Sequence, residues 1–185
     1  MKRAFDLFFS AIGLIVALPI IGILVLAIRF DSPGAAIFRQ ARVGRNGKSF
    51  VCLKLRTMFK DAPEVPTHMS SAGRVTPIGQ HLRKWKLDEL PQLWNVFVGE
   101  MSFVGPRPCL PSQTELVEER RKRGVLALRP GITGLAQIRG VDMSDPVALA
   151  ELDAAYLRKV ELYQDLRILI GTFSGSALAD RTNRS

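Results

Sequence analysis

The chain has 185 residues, a formal net charge of +9 and an apolar share of 47%, the size of one domain, or of one domain with a membrane element. Its 26 Lys and Arg against 17 acidic residues point to an anionic partner: nucleic acid, lipid head groups or phosphorylated substrates. Its two cysteines, Cys52 and Cys109, have no Cys or His at metal-ligand spacing, which argues against zinc and a disulfide framework and reads as two buried thiols.

No charged residue occurs from Leu7 to Ile28. The length of this run, and Asp6 in front of it, argue against a cleaved signal peptide. Pro19 sits near its middle and should kink or break a helix. The pieces Phe5 to Leu18 and Pro19 to Phe30 would be only about 21 and 18 Å long at 1.5 Å per residue, too short to cross about 30 Å of hydrocarbon alone. Lys2 and Arg3 precede the run, and Arg29, Arg39, Arg42 and Arg45 follow it, so the positive-inside rule keeps both flanks cytoplasmic. A re-entrant hairpin bent at Pro19 satisfies both constraints; a Pro-kinked spanning helix is the alternative.

Ala36–Gly44 and Phe50–Met58 read as two strands joined through Arg45-Asn46-Gly47-Lys48, in which Asn-Gly is a hairpin signal. Alternation puts Lys54 and Arg56 on one face, either a solvated strand face or a pair of cations aimed at phosphates. Residues 61–73 are a loop by composition. His68, within it, and His81, on the next helix, read as ordinary rather than catalytic.

Thr76-Pro77-Ile78-Gly79 opens a helix, with Thr at the N-cap and Pro at the first position. It leads through Arg83-Lys84-Trp85-Lys86 to Leu87-Asp88-Glu89-Leu90-Pro91-Gln92. A second helix follows, with Leu90, Leu93, Trp94 and Phe97 at helical spacing and its start near Asp88 because Pro91 is tolerated only in a first turn. Asp88 is then either an N-cap, ionised by the positive end of the helix, or a reactive carboxylate beside Glu89. Arg107, between two prolines in Gly105-Pro106-Arg107-Pro108, has little freedom to lose on gripping an anion. Glu115 to Arg123 reads as a solvated, charged helix. Pro146 to Gln164 is amphipathic, with Leu149, Leu152, Tyr156, Val160 and Tyr163 on one stripe. Asp165 to Phe173 is apolar but too short to span. These two segments either pack on the core or lie in the membrane interface.

With FRQARVG, KLRTM, LDELPQLWNV, GEMSFVGPRP and RPGITGLAQ in this order behind a Pro-containing apolar segment, the chain resembles the bacterial sugar transferases, the small monotopic phosphoglycosyl transferases. The resemblance implies an α+β fold with an N-terminal re-entrant helix-break-helix at Pro19, a small β-hairpin and several helices, some interfacial. It divides the chain into a membrane hairpin at 1–31, a cytosolic, membrane-associated catalytic domain at 32–173 and a disordered tail at 174–185. It implies transfer of a sugar-1-phosphate from a UDP-sugar to polyprenyl phosphate at the cytoplasmic face of a bacterial inner membrane, releasing UMP and opening glycan assembly. By resemblance Asp88 is the nucleophile, through a covalent phosphosugar-aspartyl intermediate, and Glu89 its partner. Mg²⁺ is the implied cofactor, held at Asp88 and Glu89, and Arg83, Arg107, Lys54, Arg56, Gln137 and Arg139 are the expected phosphate-side residues. Val141 stands where the family commonly has Arg, and Arg139, two residues earlier, is the expected substitute. The expected partners are the UDP-sugar, the polyprenyl phosphate and membrane lipids, with no nucleic acid; the oligomeric state is left open, a homodimer included. A membrane-anchored binding module for nucleic acid or lipid lacks the aromatic-basic interleaving such binding needs, and the intact Asp88-Glu89 pair argues against a catalytically dead scaffold.

Overall fold

The computed structural model describes residues 1–60 and 74–174; the loop expected at 61–73, with His68, and the tail beyond Ser174 lie outside them. The elements in chain order are α1 (Lys2–Asp31), β1 (Ile37–Val43), β2 (Ser49–Leu55), α2 (Pro77–Lys84), α3 (Gln92–Val98), β3 (Ser102–Val104), α4 (Thr114–Lys122), β4 (Gly131–Thr133), α5 (Leu135–Ile138), α6 (Pro146–Leu157) and α7 (Leu162–Phe173). The fold is thus α+β, with helices around two small two-stranded sheets.

The first element departs from the sequence expectation. Instead of two pieces broken at Pro19, α1 is one continuous 30-residue helix with Pro19 inside it, about 45 Å long at 1.5 Å per residue. Proline's own φ is helical, so its cost is one absent N–H bond and a local clash one turn back. The Ile, Leu, Val and Ala residues on either side carry the helix through.

Both ends of α1 rest on the same body. Near the start, Lys2 Nζ donates to Val104 O and Asp165, Arg3 donates to Val96 O and Phe97 O, and Asp6 accepts from Ser102 Oγ and Phe103 N. Midway, a Cβ on Gly13 would lie 3.3 Å from the Leu93 side chain. At the far end Ile28 is buried with Leu55 and Leu82, and the Arg56 guanidinium donates to Ser32 O, Pro33 O and Ile28 O. The outer face leaves Phe8, Ile15, Leu18, Ile23 and Phe30 exposed, and α1 is long and apolar enough to insert into a membrane.

β1 and β2 pair antiparallel, Ile37 opposite Leu55 and Val43 opposite Ser49. Their turn puts Asn46 at φ 57° and Gly47 at φ 74°, the left-handed region that Asn and Gly accept. α2 begins as expected, with Thr76 Oγ1 accepting from Gly79 N. A Cβ on Gly79 would fall 2.2 Å from Thr57 O, so only glycine lets α2 seat this closely.

Three further expectations change. Asp88 caps no helix: Lys86, at φ 55°, turns the chain into a 3₁₀ turn over Leu87–Glu89, and α3 is entered through Pro91, already helical at φ −62°, ψ −18°. The segment expected as one amphipathic helix from Pro146 to Gln164 is interrupted after Leu157, so Tyr156 points into the core while Tyr163 and Val160 are exposed. The charged face of α4 is not wholly solvated, because Arg120 is 3% exposed. The core behind the site is capped by β3 running parallel to β4, with Ser102 opposite Gly131.

Candidate active site

The acidic pair lies where three segments meet. β2 brings Lys54, the 3₁₀ turn brings Asp88 and Glu89, and the loop after β3 brings Arg107. Glu89 Oε1 accepts from Lys54 Nζ at 2.8 Å and from Arg107 Nη2 at 3.0 Å. The meeting is fixed by buried Asn95 of α3, which accepts from Leu53 N at 3.0 Å and donates to Val51 O at 2.8 Å. That side chain satisfies the outer edge of β2 and so sets its register against the helix that follows the pair.

The two carboxyls differ. Burial pushes Glu89 up, but the Lys54 and Arg107 cations beside it prevail and hold it at about 2, so it is a fixed anion. Burial raises Asp88 above the usual carboxylate range; Lys54 opposes this, the Glu89 charge adds to it, and Arg83 opposes it. A desolvated carboxylate with a raised pKa is a better nucleophile than a solvated one. The sequence argument, in which a helix N-terminus keeps Asp88 ionised, is replaced by this balance of burial against two cations.

The other expected residues are distributed unevenly. Arg83 lies close enough to act on Asp88 and is steadied by Thr57, whose Oγ1 accepts from Arg83 Nε at 2.9 Å. Arg56 is buried and committed to the backbone at the C-terminal end of α1. It does not share the partners of Lys54, because the chain leaves the sheet after Leu55 and alternation no longer applies. Gln137 donates to Ile132 O at 3.4 Å while its Oε1 is buried without a hydrogen-bond partner. Arg139 is exposed at the C-terminal end of α5. No hydrogen bond or ion pair joins Gln137 or Arg139 to the acidic pair.

Sequence reasoning passed over Arg42, Arg120 and Asp153. Arg42 is buried, donates to Gln40 Oε1 through Nε and Nη2 and to Pro108 O through Nη1. Its alternation with Gln40 in FRQARVG marked both for one face. Arg120 and Asp153 form a buried ion pair across 33 positions, and no local pattern announces a contact of that separation.

The chain is similar to known proteins over nearly its whole length. A family model for Bacterial sugar transferase matches residues 1–178. The chain belongs to the bacterial sugar transferase family. Among family relatives it is 38% identical, over 92% of its length, to a UDP-glucose:undecaprenyl-phosphate glucose-1-phosphate transferase of Caulobacter vibrioides, and 40% identical, over 93%, to the exopolysaccharide production protein PSS of Rhizobium leguminosarum bv. phaseoli. It is 37% identical, over 94% of its length, to an uncharacterized sugar transferase of Haemophilus influenzae. The aligned region spans 67% of the Caulobacter protein, 92% of the Rhizobium protein and 40% of the Haemophilus one.

Proposed function

We propose that this sugar transferase moves a sugar-1-phosphate from a UDP-sugar to a polyprenyl phosphate, undecaprenyl phosphate in a bacterium, as an early membrane step of polysaccharide assembly. The observation that carries this reading is Asp88, a half-buried carboxyl with a raised pKa, beside an anion clamped by Lys54 and Arg107 and within reach of Arg83. The donor and acceptor classes come from the names of relatives such as the Caulobacter enzyme.

Asp88 Oδ attacks the sugar-bearing phosphorus of the donor. The bond from that phosphorus to the bridging oxygen breaks and UMP leaves with the electron pair, giving an acyl phosphate between Asp88 and the phosphosugar. An oxygen of the polyprenyl phosphate then attacks the same phosphorus, and the carboxylate of Asp88 is released. The covalent step divides one transfer between a water-soluble and a membrane-bound substrate into two displacements at one residue. Arg83 and Arg107 stabilise the charge on the phosphoryl oxygens. Glu89 holds both Lys54 and Arg107 in place while leaving Oε2 for another partner.

Mg²⁺ fits this donor set. The described residues contain no cluster of three or more His, Cys, Asp or Glu, and Mg²⁺ is commonly held by one or two carboxylates with substrate phosphates completing its shell. Asp88 and Glu89 Oε2 would hold it, and it would supply charge neutralisation on the diphosphate.

The support for a membrane arrangement is α1. A helix whose two ends are both bound to one domain keeps both ends on that domain's side, so the exposed apolar face inserts into the cytoplasmic leaflet without crossing. With both ends anchored on one domain, a helix unbroken at Pro19 supports a monotopic reading. The reading is tested by incubating membranes containing the protein with UDP-sugars and polyprenyl phosphate and following UMP. Release that Asp88→Asn abolishes is expected; no release with any donor, or normal turnover by the variant, overturns it.

A further inference from the structure

We propose that Arg42 and Arg120, the latter held by Asp153, are positioning residues for Arg107. The proposal rests on four successive carbonyls. In Pro106-Arg107-Pro108-Cys109 the two prolines offer no N–H, so the segment has half the usual backbone donors with which to bond itself. Each carbonyl is met from outside instead. Pro106 O accepts from Gly131 N at 2.9 Å and Cys109 O from Val43 N at 2.9 Å. Between them, Arg107 O accepts from Arg120 Nη1 at 2.9 Å and Pro108 O from Arg42 Nη1 at 3.0 Å. The outer two bonds come from backbone of β4 and β1, whereas the inner two, which flank the working residue, come from buried guanidinium groups.

Each guanidinium is oriented by a partner on its other side. Arg120 donates through Nε and Nη2 to Asp153 Oδ2 at 2.9 and 2.7 Å, and Arg42 grips Gln40 Oε1 through Nε and Nη2. A planar fork can serve a side-chain acceptor and a carbonyl at once; a lysine ammonium has no such fixed geometry. Asp153 is 2% exposed and Arg120 3%. A buried charge pair is costly to desolvate and is weak evidence of stability alone, so its role is sought in what it holds. It holds the backbone from which Arg107 reaches Glu89 Oε1, and a displacement of about 1 Å there is enough to cost a catalytic group much of its effect.

The inference deepens the reading of Asp88 and Glu89 as a transferase site and rests on it. Its test is a double-mutant cycle on the full-length protein in its membrane, with kcat and KM for UMP release as readouts and thermal unfolding of each variant alongside. Arg120→Lys is expected to lower kcat about tenfold with little change in KM, yet to lower it less than twofold when Arg107 is already alanine, because there is no side chain left to misplace. Arg42→Lys is expected to behave likewise. Effects of Arg120→Lys and Arg107→Ala that simply multiply mean that Arg120 supports the fold generally, and they overturn the proposal. If Arg120→Lys does not fold, Asp153→Asn, which keeps shape and an acceptor oxygen, runs the same cycle with the same two outcomes. Wild type that releases no UMP from any donor fails the transferase reading and takes this inference with it. An active wild type that Asp88→Asn silences, with multiplying effects in the cycle, fails this inference alone.

Discussion

Glu89 Oε1 receives both Lys54 Nζ, at 2.8 Å, and Arg107 Nη2, at 3.0 Å, so one carboxylate oxygen joins the end of β2, the turn before α3 and the loop after β3. Because these cations hold Glu89 at about 2, below its ordinary 4.5, the carboxylate contributes stability that is fully present above pH 4.5 and is lost as pH falls toward 2. Two and a half units correspond to about 3 kcal/mol. Glu89→Gln is therefore expected to lower stability at pH 7 by an amount of that order and to differ little from wild type near pH 2, as urea titrations at the two pH values would show. Its UMP release should fall at least about a hundredfold, since Lys54 and Arg107 lose the group that aims them.

Asp88 behaves in the opposite sense. Burial raises it, so its ionised form is lost at a higher pH than an ordinary aspartate's as the medium is acidified. The acid limb of kcat should lie above the usual carboxylate range. Arg83 is one of the cations opposing the shift, and Arg83→Gln should move that limb to still higher pH while lowering the plateau. An acid limb that stays put in Arg83→Gln would show that another group controls it. On the proposed mechanism Asp88→Asn should reduce turnover by about four orders of magnitude or more, the scale seen when a nucleophile is removed.

Much of this site was legible in the sequence because its signals are local. Asn46-Gly47 announced the hairpin, Thr76-Pro77 the start of α2, and Leu87–Gln92 the acidic pair. Arg107 stood out by its two prolines. What could not be read is what the fold brings together across distance. Alternation assigned Arg56 to the face of Lys54, but the strand ends at Leu55 and the side chain turns to the backbone around Ser32. The charge run of α4 looked uniformly solvated, yet Arg120 is turned inward by an aspartate 33 positions away. Helix capping explained Asp88 plausibly, but Lys86 in a left-handed conformation redirects the chain before the helix begins. Pro19 was read by its effect on an isolated helix, whereas α1 is supported along its length by the domain beneath it.

Arg56 gives a prediction that separates architecture from chemistry. Its guanidinium donates to Ser32 O at 2.6 Å, Ser32 Oγ at 2.9 Å and Pro33 O at 2.9 Å, and so fastens the end of α1 to the sheet. Arg56→Met leaves the buried Ser32 acceptors unpaired, at about 2–4 kcal/mol. The expected phenotype is a lower unfolding temperature and weaker retention in membranes after a high-salt wash, with KM for the donor nearly unchanged in the protein that remains folded. A large rise in donor KM at normal stability would instead return Arg56 to the phosphate-binding set.

The seating of α1 makes the final prediction. Lys2 bonds to Val104 O and pairs with Asp165, and Arg3 donates to two carbonyls at the end of α3, so the N-terminus is held against the catalytic domain. In a protein with Cys52 and Cys109 replaced by Ser, a cysteine inserted directly after Met1 or introduced at Ala35 should be protected from a membrane-impermeant thiol reagent in intact cells and labelled once the cells are opened. Labelling of either cysteine in intact cells would put the two ends of α1 on opposite sides and make it a spanning helix. Replacing Lys2 and Arg3 together with Gln removes the bonds that hold the N-terminus to the domain and the positive charge that opposes its transfer across a membrane. That variant should shift part of the population toward labelling of the inserted cysteine, leaving position 35 protected, because Arg56 still holds the other end.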